Sequence, residues 1–372
     1  MFQSKLTKAV SRLNAWELRH LLDFVHSPFH NKNQKVSNLF EQLIAEAPLF
    51  APENLQRTVI FAQIFGQKNY QEQKFKDLLS LCMKTLRAFL AQIHLRNDEV
   101  AIGLALLETL QNRGWDHEFS KASQQLEKSL SKSDDKLHVT RLKTLLYQEI
   151  RINFLSTLHD RQAKDSLQEF SEQLDTFYLL SKLKYSTEMA NRQNVIAQTF
   201  DFGLLSHVIQ YLEQHPTLFK NHSDLQIYYL IYSCVTTEDQ ETFTALTQAL
   251  QSHASHFPKP ERRELYTYAT NFCIQQLNKG RPSYLNTLLD IYKWALEDET
   301  FLEEGWLSHW NYKNIVSASL KAGEFVWCEN FIESYKPKVE PGERENAYTY
   351  NLACLHFEQQ NYRQALRHLQ HV

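Results

Sequence analysis

Apolar residues recur along this chain at steps of three and four, and polar residues fill the intervals. The clearest stretch lies between residues 70 and 96. There Phe75, Leu78, Leu79, Cys82, Met83, Leu86, Phe89, Leu90 and Ile93 form one stripe, with Lys74, Lys76, Asp77, Lys84 and Arg87 on the other side. That spacing predicts an amphipathic α-helix, which is stable only when its stripe packs on neighbouring helices. Before it, Asn14-Ala-Trp-Glu17 reads as a capping box opening a helix to about His26, stopped by Ser27-Pro28. A second helix is predicted from Gln34 to Glu46, and a third with Pro52 in its first turn and Gly66 as its C-terminal cap. Asn69-Tyr-Gln-Glu72 is read as opening the fourth.

Further helices are predicted at about 98–113 (closed by Gly114), 117–131, 136–162 and 167–199, the last opened by a capping box at Ser166-Leu-Gln-Glu169. Beyond Phe202 the helices shorten and pair. One stands alone at 203–214, followed by 224–236 with 239–254, 261–278 with 283–297, 308–321 with 324–335 and 344–359 with 361–371. The expected divisions are a helical N-terminal module over 1–99, long helices over 100–200 and paired repeats over 201–372.

Composition sharpens this picture. Glycine is 8 of 372 residues, about 2% against the usual 7% or so, and no proline falls between Pro52 and Pro216. Sheets need turns built from these residues, which argues against a Rossmann domain or a barrel. The expectation is an all-α protein. No apolar run reaches about 18 residues, so no membrane-spanning helix is expected. The first residues lack the pattern of a secretory leader, and a cytoplasmic location follows as an expectation. Cys82, Cys234, Cys273, Cys328 and Cys354 each sit among apolar neighbours and read as buried reduced thiols. The formal net charge is −3, with a mild excess of Lys and Arg in the first 100 residues.

Tyr350-Asn-Leu-Ala-Cys-Leu-His-Phe-Glu-Gln-Gln-Asn-Tyr-Arg-Gln-Ala-Leu-Arg-His-Leu369 resembles a tetratricopeptide repeat. Ala353 and Ala365 match its small positions, Tyr362 starts the second helix, Leu369 fills a large apolar slot and Val372 takes the last small position. The template also places Ile315, Val316, Gly323, Phe325, Cys328 and Ile332, and before them Phe272, Cys273, Gly280 and Tyr284. Phe243, Leu246 and Leu250 fit it more loosely. The resemblance covers about 110 residues and implies a right-handed α-solenoid of helical hairpins with a concave binding face.

The whole chain also resembles a family of bacterial helical proteins without an assigned function. The matching segments are Ser27-Pro-Phe-His-Asn-Lys-Asn33, Asp175-Thr-Phe-Tyr-Leu-Leu-Ser-Lys-Leu-Lys184, Asn191-Arg-Gln-Asn194 and Glu345-Asn-Ala-Tyr348. Members of that family continue past this chain's end. Here the sequence stops inside a repeat without a polar capping helix, which predicts a truncated chain or an end covered by a partner.

Chemistry-bearing motifs are sparse. His26 and His30 are separated by Pro28, and His253/His256 and His368/His371 lack the spacing of specific metal motifs. Neither a phosphate-binding glycine loop nor a nucleophile elbow occurs. Glu303-Glu304 and Asp134-Asp135 read as solvated groups in loops or at helix ends. No metal, cofactor or catalytic residue is expected. On the repeat template Asn271, Asn314 and Asn351 share the sixth position of successive first helices, which line the groove in tetratricopeptide proteins. Their amides both donate and accept, and suit the backbone of an extended peptide. Asn191-Arg-Gln-Asn194 reads as a solvent-facing run or as a polar link between middle and C-terminal segments. Trp294, Trp306, Trp310 and Trp327, with Tyr266, Tyr268, Tyr284 and Tyr292, read mainly as packing between repeats, with some left to form an adhesive groove.

The expected function is therefore a non-enzymatic scaffold that binds a protein or peptide segment on its concave face. The alternative is a DNA-binding transcriptional regulator with a winged-helix-like N-terminal module and a repeat sensor domain. In that alternative Lys68, Gln71, Lys74 and Lys76 face DNA. Against it, no wing hairpin is visible after the 70–96 helix.

Overall fold

The computed structural model describes residues 4–51, 53–67, 69–132, 138–158, 162–195 and 199–370. Pro52, Lys68, Asp134, Asp135, His371 and Val372, with the side chain of Asn194, lie outside this description. The described residues are overwhelmingly α-helical, and the chain divides into two compact units, Met1–Ser129 and Leu130–Val372.

In the first unit, α1 (Lys5–Val10) is capped by Ser4, whose hydroxyl accepts from the Thr7 amide at 3.1 Å. α2 (Ala15–His26) opens on the expected capping box, with Glu17 N to Asn14 Oδ1 at 2.9 Å and Asn14 N to Glu17 Oε2 at 2.8 Å. α3 (Gln34–Ala45) and α4 (Arg57–Phe65) follow, and Gly66 ends α4 at φ 63°. α4 thus begins well after Pro52. α5 (Glu72–Arg96) is not capped by Asn69. Gln71 occupies its N-cap without a side-chain bond, and the entry is fixed by Tyr70, whose ring packs 5.3 Å from Phe61 and 6.0 Å from Phe75. The α5 stripe is the centre of this unit. Phe75, Leu78, Cys82, Leu86 and Phe89 are buried against Leu21 and Phe24 of α2 and Val36, Leu39, Phe40 and Leu43 of α3. Leu90, on the edge of the stripe, is 40% exposed. α6 (Glu99–Asn112) and α7 (Asp116–Lys132) complete the order. A Cβ on Gly103 would stand 2.8 Å from Leu126 Cδ1, so α7 packs closely on α6 here and a larger residue would require the leucine side chain to shift.

In the second unit, α8 (His138–Thr157) packs along α9 (Gln162–Val195). Ser166 does not cap α9, because the helix runs through it. Hydrogen bonds from Gln168 to Glu172 at 2.8 Å and from Gln173 to Glu169 at 3.2 Å join successive turns and carry the helix through that segment. Next come α10 (Leu205–Gln214), α11 (Thr217–Asn221) and four hairpins. These are α12 (Ser223–Thr237) with α13 (Gln240–His253), α14 (Lys259–Asn278) with α15 (Tyr284–Glu297), α16 (His309–Lys321) with α17 (Phe325–Tyr335), and α18 (Arg344–Glu358) with α19 (Tyr362–Leu369). Each hairpin packs on the next, and one apolar core runs through them.

The residues aligned to the repeat mostly hold the interior. Phe272, Cys273, Ile315, Val316, Cys328, Ile332, Ala353 and Ala365 are buried, and Tyr284, Phe325 and Tyr362 each begin a second helix. Leu369 departs from the expectation, at 47% exposed. So does Cys354, which is half-buried where the other four cysteines are buried. A small β-hairpin, β1 (Leu302–Glu303) and β2 (Trp306–Leu307), was not foreseen. Its turn uses Glu304 at φ 50° and Gly305 at φ 88°. Glu303 is therefore a strand residue paired with Arg263, not a helix-end group.

Buried charge ties α9 to its neighbours. Lys184 sits 2.8 Å from Glu261 of α14, and Glu261 also accepts from the Tyr228 hydroxyl of α12 at 2.6 Å. Tyr268 of α14 donates to Glu188 at 2.7 Å, and Arg192 holds the same carboxylate at 2.5 Å. Of the run beginning at Asn191, exposed Arg192 thus also feeds the link to α14. On α8, Arg141 pairs with Asp224 of α12, whose side chain is only 5% exposed. Removing one member of a buried pair strands the other, at a cost of about 3–5 kcal/mol. Arg141→Met should lower the unfolding free energy by about 3 kcal/mol in urea titration, and Arg141→Met/Asp224→Leu should recover most of it. Equal losses in the single and double variants would show that the pair is not what the helices depend on.

Candidate functional site

One cleft of the second unit lies between the first helices of the last two hairpins. Ser308 caps α16 by accepting from the Asn311 amide at 3.2 Å, which fixes the first turn carrying His309, Trp310 and Lys313. On α18, Glu343 just before the helix and Asn346, Ala347, Tyr350 and Asn351 within it recur at steps of three, one, three and one. They therefore share one face. Together these residues line a cleft of about 260 Å³.

The rim is aromatic and charged. Trp310 is 64% exposed with its ring 4.8 Å from His309, and the Lys313 ammonium lies 5.3 Å from the Tyr350 ring centre. Outside the cleft lining, Lys336 stands 3.8 Å from the Tyr348 ring and 3.1 Å from Glu345, and Tyr348 donates to Glu333 at 2.8 Å. Burial and that carboxylate push the Tyr348 phenol up to about 12.

The three asparagines have different environments. Asn351 is 1% exposed, lines the cleft and donates to the Ala347 carbonyl one turn earlier at 2.7 Å. Asn314 is exposed on α16 and Asn271 is half-buried on α14, and neither lines this cleft. The structure thus brings Asn351 together with Trp310, Lys313 and Tyr350. Lys313, Glu343 and Asn346 were not singled out by the sequence reading. Their signal was the helical spacing of polar residues facing Asn351, which the search for apolar stripes passed over. Of the aromatic group, Tyr266, Tyr268, Tyr284 and Tyr292 are buried, Trp294 and Trp327 pack half-buried on the core, and Trp306 and Trp310 are exposed.

A second cleft, of about 540 Å³, lies between α8, α9 and α12 and is lined by Arg141, Glu169, Glu172, Phe177, His222 and Asp224. Arg141 and Asp224 pair with each other, while Glu172 and Glu169 accept from Gln168 and Gln173. Burial, opposed by Asp224, holds His222 below the ordinary histidine value of 6.5. Burial, Lys184 and Arg141 do the same for His138, whose ring bonds Ser181 Oγ at 2.9 Å. Burial holds the Glu264 carboxyl above its ordinary value.

Other expected groups are dispersed. His253 and His256 stand 5.7 Å apart, His26 pairs with Glu41 at 3.0 Å, and His30 stacks on Phe24. Among the described residues no three His, Cys, Asp or Glu side chains come together as a metal site, and no helix is long and apolar enough to cross a membrane. In the first unit Lys74 and Lys76 are exposed on α5, Lys76 is paired with Glu72 at 2.9 Å, and α6 begins at Glu99 with no strand among the described residues.

No protein-family model matches this chain, and no curated protein or solved structure matches it.

The two histidines set a direction for acid stability. Both are depressed in the folded state, so their contribution is present above about 6.5 and lost as pH falls through the folded values. Glu264 acts oppositely: its contribution is present at low pH and lost as pH rises through its raised folded value. Urea midpoints measured from pH 7 to about 5.5 should fall less in His138→Gln/His222→Gln than in the wild type, and more in Glu264→Gln. Parallel curves for all three proteins would contradict these assignments.

Proposed function

We propose that the protein is a non-enzymatic helical-repeat scaffold in the cytoplasm, and that an extended protein or peptide segment binds along the α16–α18 cleft. In this reading the C-terminal hairpins are tetratricopeptide-like and stack as a right-handed α-solenoid with first helices on the binding side. The observation that carries it is Trp310, exposed at the mouth of a cleft whose wall contains the buried amide of Asn351. Tryptophan and tyrosine are among the residues enriched at binding hot spots. Asn314 and Asn271 extend the row along preceding first helices. Lys313 and Glu343, of opposite charge, set the register of a segment with both polar and apolar positions.

Burial raises Cys82 and Cys234 to about 12 and moves Cys273, Cys328 and Cys354 in the same direction. Thiols so placed stay protonated near neutral pH.

A displayed peptide library selected on the full chain should yield segments with an aromatic or aliphatic anchor. Fluorescence anisotropy should then show Trp310→Ala weakening a selected peptide by about 2 kcal/mol, roughly thirtyfold, without shifting the thermal midpoint. Asn314→Ala should weaken it several-fold. Selected peptides whose affinity ignores both substitutions would refute the assignment of the cleft.

A further inference from the structure

The first unit holds a cleft of different character. It lies between the α2–α3 loop and the middle of α5, with a volume of about 640 Å³. Its charged or titratable lining is entirely basic: His30, Lys32, Lys35 and Lys84, with no carboxylate among the lining residues. None of the three lysines is paired with a carboxylate among the described residues; Lys35 instead stands 4.6 Å from the Phe65 ring. Three ammonium groups brought to one cleft repel one another, and an anionic ligand relieves that repulsion.

The loop is held rigid from within. Asn31 Nδ2 donates to Val25 O at 2.8 Å, Ser37 Oγ at 3.0 Å and Asn33 O at 3.2 Å, while its Oδ1 accepts from Asn33 N at 2.9 Å. Ser37 Oγ in turn donates to Val25 O at 2.9 Å. The basic groups flanking Asn31 are thus carried on a preformed edge. Beside them Phe29 is 90% exposed, its ring edge-on to His30 at 5.0 Å, and His30 is itself stacked on Phe24 at 4.1 Å. A phenylalanine so fully in water has an open face on a rigid loop. Ammonium groups tracking a groove beside a stacking ring are the recognition chemistry of an unpaired nucleic-acid strand, whose phosphates and base faces are both accessible. A duplex hides its base faces and leaves the ring without a role.

We propose that this cleft binds a single-stranded nucleic acid, with Lys32, Lys35 and Lys84 on successive phosphates and Phe29 stacked on a base. The site is separate in residues and chemistry from the peptide cleft on α16 and α18, and either can fail without the other.

Anisotropy of the full chain with fluorescein-labelled 12-mers of deoxythymidine and of uridine, and with a duplex of equal length, tests the assignment. The single strands should bind, and three phosphates released of counterions at about 0.7 each give a log–log salt slope near −2. Lys32→Ala/Lys84→Ala should flatten the slope to about −0.7, the value for one contact. Phe29→Ala should weaken single-strand binding about tenfold with the slope and the thermal midpoint unchanged. The DNA and RNA arms distinguish the two sources of strand. Equal affinity for the duplex, indifference to Phe29→Ala, displacement of every probe by equimolar tripolyphosphate, or no binding at low salt would each overturn the proposal.

Discussion

The ammonium group of Lys184 is the polar tie that joins three helices of the second unit. It is largely buried on α9, and a buried ammonium is tolerable only when paired and hydrogen-bonded. Glu261 supplies the pair, and Tyr228 then satisfies the same carboxylate from α12. One charge therefore fixes the positions of three helices. The hairpins that follow inherit that placement, because each packs on the one before and shares its core. The separation and tilt of α16 and α18, and so the width of the cleft between them, rest on a stack that is anchored at α9.

Much of the fold was legible because helices announce themselves through period and punctuation. The α5 stripe, the Asn14–Glu17 box, the Gly66 cap and the four C-terminal hairpins all follow from spacing that neighbours in sequence decide. Errors occurred where a local signal competed with something longer-ranged. Ser166 and Glu169 satisfy the capping-box pattern, yet turn-to-turn side-chain bonds keep α9 helical there. Asn69 and Glu72 satisfy it too, yet Tyr70 packing onto Phe61 and Phe75 sets the entry. The hairpin at 302–307 is two residues per strand and leaves no alternating pattern to read. The polar ties were harder still, since Lys184 and Glu261 are 77 residues apart and nothing in either neighbourhood names the other.

The sites were legible in the same uneven way. The repeat template singled out Asn351 because it numbers positions along each first helix. That template says nothing of burial, which separates Asn351 in the cleft wall from Asn314 on the surface and Asn271 half within α14. Trp310 stood out by residue type, whereas Lys313 and Glu343 acquire meaning only when two helices face each other. In the first unit, Lys32 and Lys84 lie on opposite sides of α4 in sequence, and only the packing of the α2–α3 loop on α5 joins them. The two clefts differ in kind. One is lined by mixed charge and a buried amide, and the other by unopposed positive charge.

Hydrogen–deuterium exchange on the full chain with and without a saturating selected peptide addresses the central claim most directly. Binding along the first helices of the last two hairpins predicts slowed exchange in segments covering 309–314 and 343–351, with the first unit unchanged. Protection that falls elsewhere, or none at saturation, would contradict the account.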